Sequence, residues 1–471
     1  MESLYSQIQS ELKEKEVIYL LFLLFIFSLI SSFFIPLYYG ITQDKYTKPL
    51  GFGYMPVDPR PGGDYLANYI AGLTLLDSYI VRSVQFEQNF NLTTLRQKSS
   101  NRSLVGGTTT LDSYNIYINN RDKGEKYYDI YADECYYLKE RSRFVGTPLL
   151  AYVFIPFAFL SFKTAYYLWT LISLLLLIVS IYFISQLTRF KFMSFISLFV
   201  LYFQSHFLIF HLERGQTDIL VLLFIVLFIY FYLLKNNKYL TALFFTLAFM
   251  LKLYPGIFIF FFLIRKEFKI LIMALILSII IIILTGLNNW YYYIFNVLPV
   301  FSGCVPDSWV NHSLLYFLKL FSLNKTALLN LYKIISAFMI SAYVVIVIKN
   351  KNRDKLILLE LVILNIVMDI LPSCSYNYKL VSLIFLYLSP FVFLDTKIEI
   401  FKKRFIYFVM PVFLLLLLVI PVNIKEYIPC NVAIMDRSVV IALIYLLIYF
   451  VIIYVLTSHQ LFTGQFFVSG N

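Results

Sequence analysis

The 471-residue chain is 60% hydrophobic and 19% aromatic, and only 14% of its residues are charged. Soluble domains carry about a quarter charged residues, so this composition, with a mean hydropathy of +0.77, excludes a water-soluble globular protein and indicates a polytopic membrane protein. A net charge of +12 would suit nucleic acid in a soluble chain, but here the basic residues gather in short connections between apolar runs, where they set orientation; no nucleic-acid partner is expected.

In chain order, the first apolar run, 17–39, is too long for a signal-peptide core and lacks a small-residue cleavage site. It reads as a retained first span. Residues 40–147 follow as a polar segment containing Gly51, Gly53, Gly62, Gly63, Gly106 and Gly107, and a loop of that length is usually functional. Inside it, DYLANYIAGLTLL (Asp64 to Leu76) sets Tyr65, Tyr69 and Leu73 on one helical face, which suits a helix at the membrane surface. PLLAYVFIPFAFL (Pro148 to Leu160) is short, contains Pro156 and runs at once into Lys163 and a full span; it reads as a re-entrant or interfacial segment.

Further apolar runs fall near 164–186, 191–210, 217–234, 238–251, 255–264, 269–286, 327–348, 356–371, 377–394, 405–422 and 438–457. The expected fold is therefore an all-α polytopic membrane protein with about a dozen membrane segments, counting 238–251 and 255–264 as a broken hairpin. Its parts are a cytoplasmic N-terminus and first span (1–39), an extracytoplasmic loop with interfacial helices (40–163), a transmembrane bundle (164–457) and a cytoplasmic tail (458–471).

With the N-terminus inside, Lys13, Lys15, Arg189, Lys191, Lys235, Lys238, Arg265, Lys266, Lys269, Lys349, Lys351, Arg353, Lys355, Lys397, Lys402, Lys403 and Arg404 lie in inner connections. The outer connections hold only Arg214, Lys319, Lys325, Lys379, Lys425 and Arg437. That is the asymmetry of the positive-inside rule. Cys135, Cys304, Cys374 and Cys430 all fall outside, and their pairing stays open. Asn91-Leu-Thr, Asn101-Arg-Ser, Asn311-His-Ser and Asn324-Lys-Thr fit glycan acceptor patterns on the same side, patterns without meaning in a bacterial source.

Polar clusters meet that outer face: PVDPRPGGDYLANY with Asp58 and Asp64, HLERGQTD from His211 to Asp218, WVNHSLLYFLKL from Trp309 to Leu320, and KLYPG at Lys252. They supply candidate bases (Asp58, Asp64, His312), cations (Arg214, Lys252, Lys319) and amides (Gln216, Asn311). Cations and helix N-termini suit a phosphate, and a carboxylate in apolar surroundings suits a general base for a sugar hydroxyl. Bland readings stand beside these: Asp64 as a helix cap after Gly62-Gly63, Lys252 snorkelling to headgroups, Arg214 pairing with Glu213, Asp58 shaping a Pro-rich turn. Asp369, within an apolar run, either binds an acceptor or pairs with Lys379. No HExxH, paired-Cys, Walker or nucleophile-elbow motif is present, so no metal or other cofactor is expected.

RGQTDILVLLFIVLFIYFYLLKNNKYLTALFFTLAFMLKLYPG resembles the central block of C-type (GT-C) glycosyltransferases, the polyprenyl-phosphate-mannose-dependent α-mannosyltransferases of bacterial envelope glycolipids. The matching features are Gly215-Gln216 opening a span, a basic loop at Lys235 to Lys238, and Lys252 with Tyr254 and Pro255. GGDYLANYIAGLTLLDSY, FVGTPLLAYVFIPFAFLSFKTAYYLWTLISLLLL and VLPVFSGCVPDSWVNHSLLYFL resemble further blocks in consistent order, from about residue 62 to about 322.

The resemblance implies a multi-pass enzyme of the bacterial plasma membrane rather than of the endoplasmic reticulum. It implies inverting transfer of a sugar, mannose foremost, from a polyprenyl phosphate to a lipid-linked or glycan acceptor among membrane lipids. Asp64 would be the base, Lys252 would meet the donor phosphate, and Gln216, Arg214, Asn311, His312, Asp218 and Tyr254 would line the substrate site. The chain departs from the pattern at Asp218, where Asn is usual, at Gly146-Thr147-Pro148 in place of Tyr-Pro-Pro, and in a longer segment 79–143. Alternative classes are an envelope polysaccharide polymerase or ligase, and a lipid or solute transporter, for which internal repeats are expected and none is seen.

Overall fold

The computed structural model describes residues 47–50, 53–56, 146–299 apart from 161 and 204, 312–319, 324–350, 357–372 and 377–385, with single positions at 65, 67–69, 71–72, 75, 375, 388, 446 and 449. The first span, the four cysteines, the segment 79–143 and the run 405–422 lie outside the described residues.

Two short strands, β1 (Thr47–Leu50) and β2 (Gly53–Pro56), pair antiparallel with Lys48 opposite Met55. They are the one departure from an all-helical expectation among the described residues. The rest is helical: α1 (Pro148–Ala158), α2 (Phe162–Ser185), α3 (Lys191–Phe203), α4 (His206–Arg214), α5 (Asp218–Leu233) and α6 (Lys238–Leu251). A 3₁₀ turn (Tyr254–Ile257) leads into α7 (Phe258–Ile264), then α8 (Phe268–Thr285), α9 (Leu287–Tyr292) and a π turn (Tyr293–Val297). Further on lie α10 (Leu314–Lys319), α11 (Lys325–Asn350), α12 (Ile357–Ile370) and a second 3₁₀ turn (Asn377–Leu383).

Helices α2, α8 and α11 contain the candidate membrane spans among the described residues, Thr164–Ser185, Phe268–Thr285 and Thr326–Ile348. Their outward faces are apolar, with Leu275, Ile276, Ile279, Ile283, Ile334 and Phe338 exposed, as a lipid-facing surface requires. Helix α5 is buried almost all round and forms the centre, packed on α2 and α6. Phe228 of α5 meets Phe245 of α6 and Phe258 and Phe262 of α7 at ring separations of 5.7, 5.1 and 6.0 Å.

The broken hairpin forms as expected. Helix α6 starts on Asn237, whose side chain accepts from the amides of Tyr239 and Leu240. It stops at Lys252, whose backbone is extended, because Pro255 next enters the 3₁₀ turn. Helix α7 then returns: Glu267, just past its end, bonds Lys238 at the start of α6 at 2.7 Å. The 14 residues of α6 span about 21 Å, so the turn at Lys252 and the Lys238–Glu267 pair mark opposite ends of the hairpin.

The run 191–210 differs from expectation. It is two helices, with Ser205 breaking the ladder and capping α4 through a bond from the Leu208 amide. The 11 residues of α1, with Pro156 inside, span about 17 Å, too short to cross a bilayer. The segment from Asp64 is also placed differently from a helix lying on the membrane. Its described positions are helical and buried within the protein, Tyr65 and Tyr69 almost completely. Gly72 makes the docking possible: a Cβ there would stand 2.6 Å from the Phe154 backbone of α1. The Tyr69 hydroxyl donates to the Leu160 carbonyl at 2.9 Å, and the Tyr65 ring meets Phe154 at 5.4 Å and Tyr166 at 5.6 Å.

Candidate active site

The turn between α4 and α5 is built around Gly215, which has φ 65° and ψ 41° and closes α4 with a left-handed cap. Its amide donates to Leu212, and the Gln216 amide donates to the His211 carbonyl at 3.1 Å. A side chain at 215 is excluded twice, by the positive φ and by Tyr65, whose Cβ would lie 2.5 Å from any added Cβ. The loop segment that carries Asp64 is therefore packed against the Gly-Gln turn. Trp169 of α2 donates to the Gln216 carbonyl at 3.1 Å, and Tyr166 to the Leu212 carbonyl at 3.0 Å, so α2 pins the turn from the other side.

Three residues on, Asp218 opens α5 and is 1% exposed. Lys252 Nζ donates to its Oδ2 at 2.7 Å, and the Tyr254 hydroxyl donates to its Oδ1 at 2.9 Å. Both oxygens are thus engaged, one by a cation, and the amide end of α5 adds favourable potential. Lys252 keeps 19% of its side chain exposed, which leaves its other N–H donors able to meet a ligand. The Thr147 hydroxyl, at the head of α1, donates to the Leu251 carbonyl at 3.0 Å and fixes the point where Lys252 leaves α6. Gly146-Thr147-Pro148, the variant of the family's Tyr-Pro-Pro, thus holds the last carbonyl before the lysine.

The other expected site residues divide. Gln216 is buried in the turn, and Arg214 ends α4, half-buried. His312 is buried before α10 and its amide donates to the Ser375 carbonyl at 2.8 Å, which ties the Asn311-His312 block to the 3₁₀ turn 377–383. Asp64 and Asn311 lie outside the described residues. Asp369, open between two readings, accepts hydrogen bonds from Ser382 and from Asn365, the latter at 3.3 Å, while its backbone carbonyl accepts from Ser375. Lys379 stands elsewhere, with its Nζ 5.2 Å from the centre of the Tyr254 ring. Burial, with Tyr69 beside it, pushes the Tyr65 phenol up, so Tyr65 stays protonated and serves in packing.

Sequence reasoning missed the Asp218–Lys252 pair, the capping role of Thr147 and the position of Lys379. Pairs 34 and 104 residues apart leave no periodic trace. The opposite charges of Asp218 and Lys252, both in apolar surroundings, were the one signal available.

The model of glycosyltransferase family 87 matches residues 144–372, a stretch that holds Thr147, Trp169, Gly215, Asp218, Lys252, Tyr254 and His312 but neither Tyr65 nor Lys379. No curated protein matches the chain. Together with the apolar helices, the family match supports a membrane glycosyltransferase of the C type.

Proposed function

We propose that the protein moves a sugar, mannose foremost, from a polyprenyl phosphate to a lipid-linked or glycan acceptor at the outer face of a bacterial plasma membrane. The loop 40–163 brings the base, and the bundle 164–457 brings the donor site. The observation that carries this reading is the packing of Tyr65 on Gly215, beside a buried Asp218–Lys252–Tyr254 cluster within the family match. Asp64, the residue before Tyr65, is kept by the chain within about 3.8 Å, Cα to Cα, of that contact.

In this scheme the acceptor hydroxyl oxygen attacks the anomeric carbon as the carbon–oxygen bond to phosphate breaks. The proton passes to the Asp64 carboxylate, the bonding pair leaves with the polyprenyl phosphate, and the anomeric configuration inverts. Asp218 is the weaker candidate for the base, since a cation and a hydroxyl already occupy its oxygens. Its role is to hold Lys252 at the hairpin turn, where the lysine meets negative charge growing on the leaving phosphate. Arg214, Gln216, Tyr254, Asn311 and His312 line the remaining site.

Purified protein given radiolabelled polyprenyl-phosphate mannose and a membrane lipid extract should form a labelled glycolipid, while a nucleotide sugar should yield none. No product from mannose, glucose or arabinose donors on the same lipid carrier would sink the reading and favour a transporter.

A further inference from the structure

Tyr254 is approached by charged groups at two places. Its hydroxyl donates to Asp218, the carboxylate that holds Lys252, and its ring carries the Lys379 ammonium 5.2 Å from the centroid. Lys379 comes from the 3₁₀ turn Asn377–Leu383, which packs on α4 and α5, and so lies beyond the family match. Lys252, Tyr254 and Lys379 are all partly exposed, whereas Asp218 is closed off beneath them. An ammonium over a tyrosine ring interacts through the ring face and keeps N–H donors for another acceptor. Two lysines against one carboxylate leave an excess positive charge, which matches a single phosphate group.

We propose that Lys379 is a second phosphate-binding cation, which with Lys252 flanks Tyr254 to form a seat for the monophosphate group of a lipid. The proposal rests on the reading of the protein as a polyprenyl-phosphate enzyme. On donor cleavage that phosphate gains a negative charge, and a seat with two cations favours the charged product more than one with a single lysine. A Lys at 379 held only for packing would bind no phosphate. Arginine would keep the charge and the ring contact, whereas glutamine would keep neither.

The test is equilibrium binding of polyprenyl phosphate, without a sugar, to the full chain in phosphatidylcholine nanodiscs. Lys379→Gln is expected to weaken binding by about tenfold and Lys379→Arg by less than about threefold, the scale of one charge-assisted contact. If wild type binds and Lys379→Gln binds within about twofold of it, the second cation is overturned while the glycosyltransferase reading stands. If wild type binds no polyprenyl phosphate, both fall. A phospholipid headgroup has the same chemistry, so the measurement is repeated with phosphatidylglycerol in the discs. Affinity unchanged by phosphatidylglycerol supports a seat for the lipid monophosphate; affinity that falls in proportion to it assigns the seat to bilayer headgroups and overturns the proposal.

Discussion

At the scale of single residues, the ion pair of Asp218 and Lys252 dominates the site. A carboxylate 1% exposed keeps its charge because an ammonium stands 2.7 Å away, and removing one partner leaves the other stranded. Breaking a fully buried pair costs about 3–5 kcal/mol, and the cost is smaller here because Lys252 is 19% exposed. Lys252→Met should therefore lower the apparent melting temperature in detergent more than the Asp218→Asn/Lys252→Met double variant does. Equal losses in the single and double variants would mean that the two groups are not coupled. Lys252 and Asp218 were each conspicuous in the sequence as charges in apolar runs. Their pairing was not, because it depends on how α5 and α6 pack and not on any spacing along one helix.

At the scale of elements, glycines decide where segments approach. Gly72 lets the loop helix lie on the backbone of α1, and Gly215 lets Tyr65 lie on the turn of the site. Gly72→Val would drive its side chain into Phe154 and push that helix away, carrying Tyr65 off Gly215. Limited proteolysis in detergent should then cut the segment around 65–75 faster than in wild type, with α5 and α6 still protected. Unchanged cleavage would contradict the docking.

The hairpin of α6 and α7 was legible, since Asn237, Pro255 and the charges at each end announce its start, turn and return. The break at Ser205 was not. Its flanks read as one apolar run with no glycine or proline, and a serine between two apolar stretches becomes a cap only when neighbouring helices bend the chain there. The two glycine contacts were equally hidden, because a close approach between segments far apart in sequence leaves only a small residue as its mark.

At the scale of the whole molecule, charge is sorted to the ends of the bundle. Lys238–Glu267 and Arg265–Glu360 gather where the inner connections were expected, and Lys252, Asp218 and Lys379 gather at the other end of the hairpin. The same partition was visible in the sequence through the distribution of Lys and Arg, because orientation in a membrane is set by loop charge. Between the ends, burial is apolar and polar groups are mostly bonded, as a bilayer demands. The catalytic account joins these scales: a loop helix docked through Gly72 and Tyr65 brings Asp64 to a donor site held by Asp218.

The most direct measurement is sugar transfer by Asp64→Asn beside wild type, from labelled polyprenyl-phosphate mannose, with both proteins matched by elution profile and melting behaviour. The account predicts labelled product from wild type and a loss of about a hundredfold or more in the variant, which still binds polyprenyl phosphate. Transfer by the variant at the wild-type rate would contradict Asp64 as the base.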